Sequence, residues 1–208
     1  LVVRHREQEH LARDVTVAPF LCFLVGGVQH RREVAADLHL AIAALHLGLA
    51  LDGAVQGAAE RRDVDSGALQ QMRFSLRRLA RHLRENGIAH GDIQPSNIVV
   101  QRGANLRLID YDGMFVPALE PFCSTELGQR NFQHPGRRRR HFNASLDAFS
   151  FSVIDLALDA LSRRPNLWRR TASGEDAFLL RAADFADPAN SATFALLSRE
   201  PGIERRVK

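Results

Sequence analysis

Apolar residues recur at steps of three and four between Ser66 and Gly87, which is the period of one face of a helix. Ser66 suits an N-cap and Gly87 suits the C-terminal stop, so this pattern predicts an amphipathic helix. The opposite face is basic, and we expect it to be a solvated surface rather than a phosphate-binding one. The apolar positions are Leu69, Met72, Leu76, Leu79 and Leu83, and the basic ones are Arg73, Arg77, Arg78, Arg81 and Arg84.

Two short apolar runs follow, over residues 98–101 and 106–109, separated by Arg-Gly-Ala-Asn. Runs of this length around a glycine-containing turn predict a β-hairpin. Residues 113–143 then contain three prolines and three glycines, which predicts a long loop. A compact domain keeps a loop of that length mainly for function or as surface decoration.

The last third of the chain is predicted to be helical. Residues 146–161 are apolar on nearly every side, which is typical of a buried helix. Two short helices are expected over residues 175–181 and 190–199, on either side of Asp187 and Pro188.

The first 65 residues have a weaker pattern. Residues 16–25 predict a short strand interrupted by Pro19, and residues 33–51 predict a helix that stops at Asp52 and Gly53. His39 and His46 lie on one face of that helix, but a metal site needs further ligands at fixed spacing. We therefore interpret them as ordinary surface or core histidines.

Composition narrows the class of protein. The net charge of +4 at pH 7 permits phosphate-bearing partners without requiring them. Cys22 and Cys123 are far apart and form no CxxC, which argues against a disulfide framework and favours a reducing cytoplasm. No apolar run is long enough for a membrane span, and no secretory signal is expected. Arg137 to Arg140 lack interleaved aromatic residues, so nucleic acid is not an expected partner.

The chemistry-bearing residues cluster around the predicted hairpin. Residues 90–97 read His-Gly-Asp-Ile-Gln-Pro-Ser-Asn, and Asp110-Tyr111-Asp112 begins thirteen residues after Asn97. Phosphoryl transfer requires a proton acceptor, hard oxygen ligands for Mg²⁺ and cations on the phosphates, and acidic and amide side chains meet the first two needs. Asp and Asn also favour turns, but turn chemistry does not demand this joint spacing.

These motifs resemble those of the protein kinase family, and look most like a bacterial group of eukaryotic-like kinases. His-Gly-Asp is similar to the catalytic-loop motif, and Asp-Tyr-Asp stands where the metal-binding DFG stands. Residues 132–136 are similar to the end of the activation loop, and residues 147–152 to the D-x-W-S-x-G motif. The resemblance covers residues 66–161. It implies an α+β, protein-kinase-like fold, mainly the helical C-lobe over residues 66–208.

The resemblance also implies roles for individual residues, with ATP and Mg²⁺ as cofactors and a protein as substrate or binding partner. Asp92 would be the catalytic base, and Asn97 and Asp110 would hold Mg²⁺ at the nucleotide. The supporting residues would be Asp147, bracing the catalytic loop, and His90 and Tyr111, packing in the interior.

Departures from the family pattern bear on activity. Gly91 replaces an arginine that reads loop phosphorylation, and Gln94 replaces a lysine aimed at the transferred phosphate. The only lysine is Lys208, so the N-lobe lysine has no candidate, and Gly26-Gly27 lacks the G-x-G-x-x-G spacing of the glycine-rich loop. Residues 1–65 are accordingly a truncated or degenerate N-lobe, an unrelated extension or a misread gene start.

Two functions therefore follow from the sequence. The first is ATP-dependent transfer to serine or threonine of a protein, impaired because an arginine cannot replace the missing lysine at that site. The alternative is a catalytically silent pseudokinase that acts as a binding or scaffold module. Small-molecule kinases also carry His-Gly-Asp, so they form a third class. They rank last because the matches at residues 132–135 and 147–152 favour protein kinases.

Overall fold

A computed structural model describes residues 49–51, 55, 66–173 and 177–207. Within these residues the fold is α+β and mostly helical, built around one small sheet. No helix of the described part has both the length and the apolar character needed to cross a bilayer. The strands are β1 (Leu49–Ala50), β2 (Ile98–Val100) and β3 (Leu106–Leu108), and the helices are α1 (Ser66–Glu85), α2 (Ala148–Arg163), α3 (Leu167–Arg170), α4 (Ala182–Ala186) and α5 (Ala192–Leu197).

Helix α1 confirms the prediction from the apolar stripe. Leu69, Leu76, Leu79 and Leu83 are buried, and Ser66 is the first helical residue. Gly87 ends the helix with a φ of +67°, and the amide of Ile88 donates to the carbonyl of Leu83 at 2.9 Å. This left-handed ending satisfies backbone carbonyls that the helix leaves without partners.

The basic face of α1 is only partly the solvated surface that we predicted. Arg73 and Arg77 donate through Nε to Asp155 Oδ1 of α2 at 2.9 and 2.7 Å. Arg73 Nη1 also lies 2.8 Å from Asp159 Oδ1. Arg78, Arg81 and Arg84 are exposed. The sequence could not reveal the pairing, because the carboxylates lie about eighty residues away on an otherwise apolar helix.

Helix α2 is buried, as predicted, and it packs on α1 across the main core. Beyond its apolar residues it buries Ser150, Asp155, Asp159 and Ser162. The two aspartates are compensated by arginines, which is the condition under which buried carboxylates persist in a protein interior.

The sheet is antiparallel in the order β1-β2-β3, and the β2–β3 hairpin confirms the prediction. Residues 49 and 50 were predicted to be helical but instead pair with Val100 and Val99. Backbone pairing with the free edge of β2 overrides the helical preference of leucine and alanine there. Residues 33–48, the strand predicted over residues 16–25, and His39 and His46 lie outside the described residues.

The prediction of a helix over residues 175–181 is wrong for its described part. Phe178, Leu179 and Leu180 are all fully buried, so no single helix face could bury them. Phe178 instead forms a β-bridge with Leu180, and Leu179 has a φ of +66°. Helix α4 begins just beyond, while α5 lies inside the range predicted for the last helix.

Candidate functional site

The loop between α1 and β2 carries the first candidate residues. At its start, Ala89 and Phe115 exchange backbone hydrogen bonds of 3.1 and 2.8 Å. Gly91 follows with a φ of +88°, and a Cβ atom there would lie 2.1 Å from the carbonyl oxygen of Gly113. This contact and the positive φ leave room for glycine alone at position 91.

Asp147 holds this loop from the side of α2. Its carboxylate is buried and accepts hydrogen bonds from the amides of His90 (2.5 Å) and Gly91 (2.8 Å). Burial raises the pKa of Asp147, while these two amides and the charges of His90 and Arg137 oppose the rise. Asp147 thereby ties the backbone of residues 90 and 91 to the start of α2.

His90 connects the loop to the end of β3. Its imidazole is fully buried, with Nε2 2.9 Å from the carbonyl oxygen of Ile109 and Nδ1 accepting from the amide of Asp92 at 3.4 Å. These partners assign the proton to Nε2. The ring packs on Tyr111, with 5.3 Å between centroids.

Tyr111 packs beneath the site. Its hydroxyl donates to the carbonyl of Leu108 at 2.5 Å. Burial raises the pKa of Tyr111 to about 12, against the opposing charge of Arg107. The phenol therefore stays neutral at physiological pH and is suited to packing rather than to proton transfer.

Asp92 is half-buried, and donors surround its carboxylate. Oδ2 accepts from Gln94 Nε2 at 2.7 Å and from Asn97 Nδ2 at 3.2 Å, and Oδ1 accepts from the amide of Gln129 at 2.7 Å. An ionised carboxylate is an acceptor only, so this set of three donors fixes its orientation.

The backbones of Asn97 and Asp110 are neighbours because the hairpin pairing continues one step beyond the strands. The amide of Ile109 donates to the carbonyl of Asn97 at 3.1 Å, which brings Asp110 next to the start of β2. Asn97 Nδ2 also donates to the backbone carbonyl of Asp92 at 3.0 Å, leaving Oδ1 as an acceptor. Asp110 is exposed, has a φ of +65°, and its carboxylate has no hydrogen bond with any residue that the structure describes.

The available donor atoms are amide and carboxylate oxygens, and these are what Mg²⁺ prefers. Mg²⁺ is commonly held by one or two carboxylates together with water and substrate phosphates, so Asn97 and Asp110 fit a nucleotide-bound ion. Within the described ranges, no group of three His, Cys, Asp or Glu residues could hold a metal by itself. An ion at this place would thus depend on ligand and water oxygens.

Sequence reasoning missed the part played by residues 128–133. Gly128 has a φ of +75°, and a Cβ atom there would lie 2.6 Å from Asp92 Oδ1. Gln133 Nε2 donates to the carbonyl of Gly91 at 3.3 Å, and Ser150 Oγ donates to that of Phe132 at 2.6 Å. The contact with Asp92 uses the backbone of Gln129, and a backbone donor has no signature in the sequence.

Comparison with known proteins gives a limited relationship. A stretch of 63 residues, 30% of this chain, is 36% identical to stress-activated protein kinase jnk-1 of Caenorhabditis elegans. The chain spans 13% of the length of that kinase. No protein-family profile matches the chain, and no solved structure does so either. The similarity points to a kinase relationship over part of the sequence.

Proposed function

We propose that this chain is a protein-kinase-like domain that binds ATP with Mg²⁺ and whose chemistry is phosphoryl transfer to serine or threonine of a protein. The observation that carries the proposal is the hydrogen-bonded unit of Asp92 and Asn97, with Asp110 across the hairpin. The partial similarity to a protein kinase also supports it.

In this proposal Asp92 accepts the proton of the attacking hydroxyl. Gln94 and the amide of Gln129 hold its carboxylate in one orientation. This orientation matters because a general base must lie within hydrogen-bonding distance of the proton that it accepts. Asn97 Oδ1 and the Asp110 carboxylate would hold Mg²⁺, which would supply charge stabilisation at the phosphates. The supporting residues are Asp147, His90 and Tyr111, which hold the backbone of the site in place from the interior.

Transfer by this chain is impaired in our proposal. No lysine precedes Lys208, so a compact ammonium to clamp the ATP phosphates is missing. Loss of one preorganised electrostatic donor typically costs roughly 100- to 1000-fold in rate. Gln94, at the place of another phosphate-directed lysine, is neutral and is engaged with Asp92.

The same lack of lysine favours a second candidate function, that of a catalytically silent pseudokinase. Such a domain would retain the fold and bind a protein partner without transferring phosphate. For either function we propose a cytoplasmic protein, since Cys123 is a free and exposed cysteine, as is usual in a reducing compartment.

The first test is a titration of the purified chain with Mg²⁺ and ATP while its thermal unfolding is followed. A ligand at 100 times its dissociation constant should stabilise the fold by about 2.7 kcal/mol. Asp110→Asn should abolish the shift, because it removes the metal-binding charge while asparagine tolerates the positive φ at this position. Asp112→Asn, at a neighbouring exposed carboxylate, is the matched control and should retain it.

A folded protein without any ATP-dependent shift would contradict the nucleotide site. If the shift is present, transfer of labelled phosphate from ATP to a generic basic protein separates the two functions. Slow transfer that Asp92→Asn abolishes would support the kinase, whereas ATP binding without transfer would support the pseudokinase.

A further inference from the structure

A cleft of about 320 Å³ lies where the loop that ends at Asn143 meets the start of α2. Its polar lining includes Arg137, His134, His141 and Asn143, and Phe149 contributes an apolar side. Among the residues that the structure describes, no aspartate or glutamate lines it. The role proposed above for Asp92, Asn97 and Asp110 does not use this cleft.

Arg137 is the unusual residue of this cleft. It is 8% exposed, and its Nη2 donates to Ser124 Oγ at 3.2 Å and to the carbonyl of Glu126 at 3.4 Å. Its Nε and Nη1 are shielded from solvent and have no hydrogen-bond partner within the described part of the chain. A buried guanidinium with two unpaired nitrogen atoms carries a desolvation cost that an anion would offset.

The nearest carboxylates do not offset that cost by direct pairing. Asp147 and Asp92 both act on Arg137 through their charge. Asp147, however, receives hydrogen bonds from the amides of His90 and Gly91, and Asp92 from Gln94, Asn97 and Gln129. Among the residues that the structure describes, neither forms an ion pair with Arg137.

The two histidines at the cleft present further donors. His134 Nδ1 accepts from the amide of Gly136 at 2.9 Å, and His141 Nδ1 accepts from the amide of Arg138 at 3.2 Å. With Nδ1 acting as the acceptor, the proton of each neutral imidazole is assigned to Nε2. Both rings belong to exposed residues, so these N–H groups can serve a ligand.

Asn143 is a further hydrogen-bond donor at the cleft. Its Oδ1 accepts from both the amide and the hydroxyl of Ser145, at 2.9 and 2.6 Å. Its acceptor is thereby occupied, and the two N–H bonds of Nδ2 remain to donate. Arginine, two imidazoles and an amide therefore surround one cleft as donors.

We propose that this cleft binds a phosphate monoester, held by Arg137, His134, His141 and Asn143. Donors from separate side chains suit a group with three terminal oxygens better than a planar carboxylate with two. Phe149 offers an apolar surface to the organic part of the ligand. Nε and Nη1 of Arg137 are shielded from solvent, so Arg137 attracts the anion by its charge, while the two histidines and Asn143 supply the hydrogen bonds.

The test is calorimetric titration of the full chain, without ATP or Mg²⁺, with three probes. These are a short uncharged peptide bearing one phosphoserine, the same peptide with serine, and inorganic phosphate. We expect saturable binding of the phosphopeptide, no binding of the serine peptide, and roughly tenfold weaker binding for His134→Ala and for His141→Ala, since each loses one hydrogen bond to a charged group. His82→Ala on α1 should bind like the parent chain.

Comparable binding of inorganic phosphate would support the site and assign it to a free phosphate group rather than to a peptide. Absence of saturable binding would overturn the proposal, as would unchanged affinity in the double variant His134→Ala/His141→Ala. Both histidines are exposed, so these variants should fold even if an Arg137→Gln variant does not. Because Mg²⁺ and ATP are absent, the outcome is independent of the proposed phosphoryl transfer.

Discussion

The α1–α2 helix pair and the loops around the candidate site are stabilised in different ways. Between the helices, side chains such as Leu76, Ile154 and Leu158 are buried in one extended core. An arginine–aspartate cluster, formed by Arg73, Arg77 and Arg206 with Asp155 and Asp159, adds to the stability of this core. Around the site, backbone segments are held by single polar contacts, such as that of Asp147 with the amide of His90. They also touch at glycines where a Cβ atom would clash with the neighbouring segment. The helix pair distributes its stability over many residues, whereas the site depends on a few.

The largest effect should come from placing a methyl group where the site loops touch. Gly91→Ala should destabilise the fold by about 4 kcal/mol or more, because the new Cβ meets the Gly113 carbonyl at 2.1 Å and the φ of +88° disfavours alanine. Gly103→Ala is the control: its φ of +72° is similar, but the nearest atom lies at 3.9 Å. It should cost about 1 kcal/mol through backbone strain alone. Urea unfolding of both variants measures the difference in their free energies of unfolding. Equal losses would show that the contact between Gly91 and Gly113 does not add to the destabilisation.

The next effect concerns the carboxylate that bridges α2 and the loop. Asp147→Asn should destabilise by about 2–3 kcal/mol, because its amide group can accept from only one of the two backbone N–H groups. Hydrogen exchange of amides 90–113 should accelerate more than that of α1. Uniform acceleration across both regions would contradict the separation between them.

The smallest effect belongs to the arginine–aspartate cluster between the helices. Burial raises the pKa of Asp155, but hydrogen bonds from Arg77 and Arg73 and the charges of Arg73 and Arg206 outweigh it and lower the pKa overall. Its contribution to stability is therefore complete above the unfolded pKa of about 3.9 and is lost as pH falls through the lower folded value. Asp155→Asn should cost about 1–2 kcal/mol at pH 7, since Arg77 is half-exposed and screened by solvent.

Below about pH 4 the difference between the parent chain and Asp155→Asn should shrink. Denaturant titrations at pH 7 and at pH 3 measure it, with Asp112→Asn as a solvent-exposed control. A difference that stays constant over this range would show that the ionised form of Asp155 does not stabilise the fold.

The two regions also differ in how far their sequence predicts them. Helix α1 and the hairpin follow from periodicity and from stop residues such as Gly87, because local pattern and tertiary packing agree there. The segment around Phe178 could not be predicted, because its run of apolar residues fits a helix as well as a buried extended chain. Spacing brings Asp92, Asn97 and Asp110 into one neighbourhood. The contacts that Gln129 and Arg137 make depend on how a long loop folds back. Loops have no periodic pattern of apolar residues from which their conformation could be predicted.

The most direct test of the central claim is to locate the metal. Mn²⁺ with ATP can replace Mg²⁺ and broadens the NMR signals of nearby nuclei. We expect the amide signals of Asn97 and Asp110 to broaden first, and the effect to disappear in Asp110→Asn while persisting in Asp112→Asn. Broadening confined to another acidic place, such as Asp155 and Asp159 on α2, or no ATP-dependent broadening at all, would contradict a phosphoryl-transfer site at this end of the hairpin.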